Sequence, residues 1–231
     1  MFTPMTTLGQ RCVDVAMAEF KAGVREVPAG SNSGPRVREY LAPCVRGDRN
    51  VRLGLTASNW CMAFASWCLY QALRSTDKAP PHGYRAGVVE ALADAQDPNA
   101  RWTGRWKPII DVRSGVWFPK PGDLAIYDRS QHGRPDTSWW RHVNRVVSFD
   151  MPSGDFVTVG GNELQKVHVG TQQLSNVKLL GFVAYPREEK IEQSKPLLTS
   201  VERTQIAHMV FLSIDGMMRD SLYDGKPHEE D

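Results

Sequence analysis

The stretch Ala57–Tyr70 limits the fold more than any other part of the chain. After Asn59 it carries Trp60, Met62, Ala63, Phe64, Ala65, Trp67, Leu69 and Tyr70, which leave no polar side to a helix. A helix apolar all round belongs in the middle of a domain, so the rest of the chain must cover it from several directions. Ser58 or Asn59 is the expected N-cap, because a short polar oxygen there accepts the first free backbone N–H groups. Cys61 then falls in the first turn, where the macrodipole and unpaired amides favour a thiolate. Two readings are open for it: a nucleophile, or a small buried hydrophobe, as most free cysteines are.

The covering layers are readable on both sides. Thr7–Val24 repeats apolar residues at Leu8, Cys12, Val15, Ala16, Phe20 and Val24, which predicts an amphipathic helix stopping near Gly23. Residues 26–35 are dense in turn formers. Ser33-Gly34-Pro35 suits the entry to a second helix carrying Val37, Tyr40 and Leu41. Residues 44–56 and 75–85 read as loops, 86–95 as a short helix, and 97–116 as irregular, with Trp102 and Trp106 lining a groove or covering the core. From Trp117 the pattern changes to short strands at 124–127, 142–149, 155–159, 167–172 and 179–185. Helices followed by adjacent strands predict an α+β domain with an antiparallel sheet. Residues 187–198 read as a linker, 199–222 as an extra C-terminal helix and 223–231 as a disordered tail.

With 231 residues, 41% hydrophobic and 23% charged, the chain can build one sizeable core. A net charge of +2 is too weak to argue for nucleic acid, though it suits a mildly anionic polymer. Residues 1–20 include Gln10, Arg11, Asp14 and Glu19, which is unlike a Sec signal, and no run is long enough to cross a membrane. Synthesis in the cytoplasm without a Sec signal is the expectation. Cys61 and Cys68 stand roughly 10 Å apart along one helix, too far to bridge, which leaves Cys12 and Cys44 as a pair free to do so. Neither C-x-x-C nor H-x-x-x-H spacing occurs, so no metal and no cofactor is expected.

A cysteine nucleophile needs a base, and the base needs an orienting group. Of six histidines, His208 falls in the late helix, His228 in the tail, and His82 and His132 in loops. His142 opens a strand directly after Trp139-Trp140. If the hairpin pairs symmetrically about Pro152, residues whose numbers sum to 304 face each other. His142 then opposes Asn162 on one face, while Glu163 projects to the other. A one-residue slip or bulge reverses that preference.

The blocks Gly30–Pro35, Trp60–Cys68, Pro121–Ala125, His142-Val143 and Gly160–Glu163, in this order, resemble the NlpC/P60 and CHAP superfamily, most closely its CHAP-related branch. The resemblance covers roughly residues 15–186 and departs from the family at Asn144, where glycine is common. It implies a papain-like catalytic domain over 1–186, with N-terminal helices and a buried Cys-bearing helix packed on a C-terminal antiparallel sheet. It implies Cys61 as nucleophile, His142 as general base and then acid, and Asn162 or Glu163 as the orienting group. Asn59 helps the oxyanion amides, and Asp123, within the Pro121–Ala125 block, is a further candidate. Ser31, Asn32, Trp60, Trp139 and Trp140 are the expected groove walls.

The implied substrate is the stem peptide of peptidoglycan, cut at an amide bond by an endopeptidase or an N-acetylmuramoyl-L-alanine amidase. Action in the periplasm or cell wall without a Sec signal points to a phage-type endolysin or to an antibacterial type VI secretion effector. The latter implies secretion machinery and a cognate immunity protein as partners, with no nucleic acid and no membrane. A cysteine deamidase or acyltransferase of the same fold, and a catalytically inactive wall-binding module, are the rival readings.

Overall fold

The computed structural model describes residues 7–46, 51–52, 58–74, 80–99, 102–130 and 140–187. The expected C-terminal helix and tail, nearly all of the linker, and Trp139, His132, His208 and His228 lie outside the described residues. The architecture is α+β. Helices α1 (Leu8–Lys21), α2 (Pro35–Leu41), α3 (Cys61–Leu73) and α4 (Val88–Gln96) come first, with a small ribbon, β1 (Val45–Arg46) and β2 (Val51–Arg52), before α3. Then follow β3 (Arg105–Pro108), α5 (Ile109–Arg113), β4 (Leu124–Asp128), β5 (Arg141–Phe149), β6 (Asp155–Glu163), β7 (Lys166–Gln173) and β8 (Leu179–Ala184). Six strands form one antiparallel sheet in the order β3-β8-β4-β5-β6-β7. No helix among the described residues is long and apolar enough to cross a membrane.

Local chemistry accounts for most helix ends. Thr7 caps α1 by accepting the amide of Gln10 at 3.1 Å, and Gly23, at φ +66°, turns the chain away past its end. Pro35 opens α2 at its first position. The start of α3 differs from expectation. Neither Ser58 nor Asn59 caps it: Trp60 is the N-cap residue and makes no side-chain cap bond. Trp60 is held by its own burial instead, its indole donating to Glu26 Oε1 at 2.9 Å.

Helix α3 is buried along nearly its whole length, as its composition requires. The sheet alternates around it with period two. Leu124, Ile126 and Val143 share a core with α1 and α3, whereas Ala125, Tyr127 and Val146 pack with Phe156, Phe182 and Val112 of α5 on the opposite face. Arg145 points toward α3. Buried among apolar groups, its guanidinium donates to Gly122 O at 2.7 Å, Ala65 O at 2.9 Å and Tyr185 Oη at 3.2 Å. The residue thus ties sheet, helix and the turn before β4 together.

One expectation is corrected and two open readings are closed. Residues 105–108 form an edge strand paired with β8, and Ile109–Arg113 a short helix, where an irregular segment was expected. Trp106 packs on the core. Cys12 and Cys44 form no bridge; all four cysteines are free, with these two in separate core clusters.

Gly122 has φ +99°, and a Cβ there would lie 2.1 Å from Gly9 Cα, backbone that cannot yield. Gly122→Ala is therefore expected to lose more than about 2 kcal/mol in urea unfolding. Gly154→Ala, with φ +71° and nothing nearer than 3.6 Å, carries only the backbone strain of about 1 kcal/mol. Equal losses at both sites would contradict the close α1–turn contact.

Candidate active site

Trp60 O accepts the first α3 bond from Phe64 N at 2.8 Å. Cys61 is therefore the first helical residue, at the positive end of the macrodipole. It lines a cavity of about 1210 Å³ together with Asn59, Arg129, Trp140, His142 and Asn162. Burial raises the Cys61 thiol above its ordinary range. The nearby Arg129 charge and the backbone N–H groups of Met62 and Val143 pull it back down. Those amides place hydrogen-bond donors from both the helix and β5 around the sulfur. Among the described residues, no group of three or more His, Cys, Asp or Glu is arranged to hold a metal ion.

His142 is buried on β5, opposite Tyr127 of β4. The two rings lie 6.4 Å apart. Burial and Arg129 push its pKa down to about 3, with the Asn144 amide pulling the other way. The imidazole is consequently neutral at any pH near 7, a base with a lone pair to offer. His142 Nε2 has no hydrogen-bond partner. His82 contrasts with it: its two ring nitrogens are engaged by Gly83 O at 2.7 Å and Tyr185 Oη at 2.9 Å, a structural role.

The register shifts twice around this hairpin. Next to the turn Ser148↔Val157 and Phe149↔Phe156 sum to 305, and past a bulge at Val147 Arg145↔Val159 and Val146↔Thr158 obey the expected sum of 304. Beyond Gly160, however, β6 breaks register with β7, and Asn162 takes φ +58°. This bulge turns Asn162 toward the rim loop, where its amide donates to Asn32 Oδ1 at 3.1 Å. Glu163 comes instead onto the His142 side of the sheet and accepts from Asn144 Nδ2 at 3.2 Å.

The other expected residues divide clearly. Asn59 is exposed on the cavity wall and Trp140 is exposed at its mouth. Asn32 is fixed through its amide, which donates to Glu26 Oε2 at 3.0 Å, and Ser31 Oγ donates to Pro28 O at 2.6 Å. Trp60 is fully buried beneath the rim and presents no wall to the groove. Glu26, which the sequence reading passed over, joins both parts by holding Trp60 and Asn32 at once. Asp123 lies at the far end of β4 from the cavity-lining Asp128, about 17 Å along the strand. It accepts from the amides of Lys120 and Tyr185, each at 2.7 Å, and burial raises its pKa to about 6. Its work is structural. Arg129 is the other residue not singled out beforehand, an exposed cation on the cavity wall close enough to lower the pKa of both Cys61 and His142.

Comparison of the chain with protein-family models, with curated proteins and with solved structures returned no match.

Cys12, Cys44 and Cys68 are completely buried, whereas Cys61 keeps 6% exposure at the cavity. Iodoacetamide on the native protein should label Cys61 first, with the other three following only on unfolding; peptide mapping reads this. Comparable labelling of Cys12, Cys44 or Cys68 would contradict the burial described.

The lowered pKa of His142 also has a linkage consequence. Between 6.5 and about 3 the unfolded chain binds a proton that the native imidazole refuses. The stability it contributes is complete above about 6.5 and lost on acidification, by about 1 kcal/mol per pH unit. His142→Gln should flatten the acid limb of the unfolding free energy measured between pH 7 and 4; an unchanged limb would show that the ring titrates normally.

Proposed function

We propose that the protein is a cysteine hydrolase of papain-like architecture, acting on an amide bond of the peptidoglycan stem peptide. The observation that carries this reading is the setting of Cys61. It is the first residue of a buried helix, it is ringed by backbone amides, and it opens into one cavity with a neutral histidine. The block order that resembles the NlpC/P60 and CHAP superfamily supports the choice of substrate.

In this reaction His142, whose strand position faces away from α3 but which lines the same cavity as Cys61, swings to Cys61 Sγ and takes its proton as the sulfur attacks the amide carbonyl. The oxyanion forms beside the α3 amides, with Asn59 at the same wall. The C–N bond breaks as His142 returns the proton to the leaving amine. Water, deprotonated by the same imidazole, then hydrolyses the thioester and restores the thiol. Trp140, the Asn162–Asn32 pair and the loop they hold serve as cleft walls. Asn162 and Glu163 are the residues proposed to steady the histidine, and the commitment of Asn162 to Asn32 favours Glu163. Delivery to the wall as a secreted antibacterial effector, with an immunity protein to block the cleft, or release as an endolysin, fits this chemistry.

The test is mass spectrometry of purified peptidoglycan digested by wild type and by Cys61→Ala. New muropeptide fragments that vanish in the variant, with activity reduced at least about 1,000-fold, are expected. Fragment masses name the bond cut. An unchanged digest from folded wild-type protein would remove peptidoglycan as the substrate and favour a deamidase, an acyltransferase or a binding module.

A further inference from the structure

The sheet face turned away from α3 carries a buried polar group that includes His142. Tyr127 opposes His142 across β4 and β5, Asn144 follows two residues along β5, and Thr158 and Glu163 approach from β6. Three atoms in this group are buried without a partner: Tyr127 Oη, His142 Nε2 and Asn144 Oδ1. Buried polar atoms are rarely left so, and three neighbours together call for an account.

Asn144 has little freedom. Its Nδ2 donates to Glu163 Oε2 at 3.2 Å and lies 3.4 Å from Thr158 Oγ1. Its amide rests directly on Gly160, where an added Cβ would fall 1.8 Å from Asn144 Oδ1. A carboxylate accepts only, so Glu163 selects the amino end of the amide and leaves Oδ1 as the free acceptor. The free acceptor lies on the strand face of His142, whose Nε2 is without an acceptor. Side chains two apart on a strand share a face and lean along it.

We propose that Asn144, pinned by Glu163, is the positioning residue for His142: Asn144 Oδ1 accepts the Nε2–H and leaves Nδ1 as the basic nitrogen. Its catalytic meaning rests on the hydrolase reading, but the shared strand face, the two unpartnered atoms and the Asn144–Glu163 bond do not. The upward pull of the Asn144 amide on the His142 pKa shows that the amide and the ring interact. Glu163 thus acts through Asn144, and Asn162 acts on the rim. The Tyr127 hydroxyl is the competitor: by donating to Nε2 it would force the opposite tautomer, with the proton on Nδ1.

Long-range proton–nitrogen correlation spectra of the full chain, with histidine labelled with nitrogen-15, read this tautomer; His142→Gln assigns the signals. The expected wild-type state is Nε2–H. Asn144→Ala should abolish that preference, Glu163→Ala should weaken it by freeing the amide to flip, and Asn162→Ala should leave the tautomer as it is. Alkylation of Cys61 should slow by about 10- to 100-fold in Asn144→Ala, up to the lower end of the ~100- to 10,000-fold that a positioned base contributes. Should Asn144→Ala fail to fold, Glu163→Ala decides on the same spectrum. A wild-type Nδ1–H tautomer, or a tautomer moved by Asn162→Ala and not by Asn144→Ala and Glu163→Ala, overturns the proposal. Because the spectrum needs no substrate, an Nε2–H result beside an unchanged muropeptide digest would refute the substrate alone.

Discussion

The close approach of β6 to the Cys61 helix organises the molecule. It depends on two adjacent glycines that face opposite ways. A Cβ on Gly161 would lie 2.6 Å from the Trp60 ring and 2.7 Å from Phe64 Cβ, so the strand can press on the start of α3 only without one. On the other face, Gly160 makes the seat for the Asn144 amide. A single dipeptide therefore sets both the depth of the cysteine helix and the support behind the histidine. Any side chain at either position must push apart elements whose spacing is the site.

Around that contact the polar residues divide into two networks with separate tasks. One runs from Trp60 through Glu26 and Asn32 to Asn162 and joins the helix start to the rim of the cavity. The other, Asn144 with Glu163 and Thr158, lies behind His142 on the far side of the sheet. Arg145 belongs to neither and acts as a structural cross-brace, its two terminal nitrogens donating to backbone carbonyls and Tyr185 while its Nε is left without a partner. Burial is the dominant electrostatic influence at the site, raising the thiol and lowering the imidazole. It favours an uncharged thiol and an uncharged imidazole at rest.

How much of this was legible follows from which interactions are local. Helices α1 and α2 could be read because apolar spacing, Thr7, Gly23 and Pro35 act within a turn or two of chain. The central strands could be read because they alternate. Edge strand β3 escaped because Arg-Trp-Lys-Pro has no alternation and ends in proline; only β8 makes it a strand. Cys61 and His142 were the candidates by residue type and order; both line one cavity, though no hydrogen bond joins them. The partners of His142 were not recognisable in the same way. One bulge near Asn162 exchanges the faces of Asn162 and Glu163, and no local signal announces it beyond the preceding Gly160-Gly161. Trp60 looked like a groove wall because tryptophans often are; its long-range bond to Glu26 makes it a buried brace.

The central claim is that Cys61 carries the acyl group during turnover, and a trapped intermediate tests it most directly. Wild-type protein mixed with soluble stem-peptide fragments and quenched in acid should show, by intact mass, one added acyl group. Peptide mapping should locate it on Cys61, and water should clear it on longer incubation. Hydrolysis that continues with no acyl adduct, or that survives Cys61→Ala, would contradict a thiol mechanism at this site.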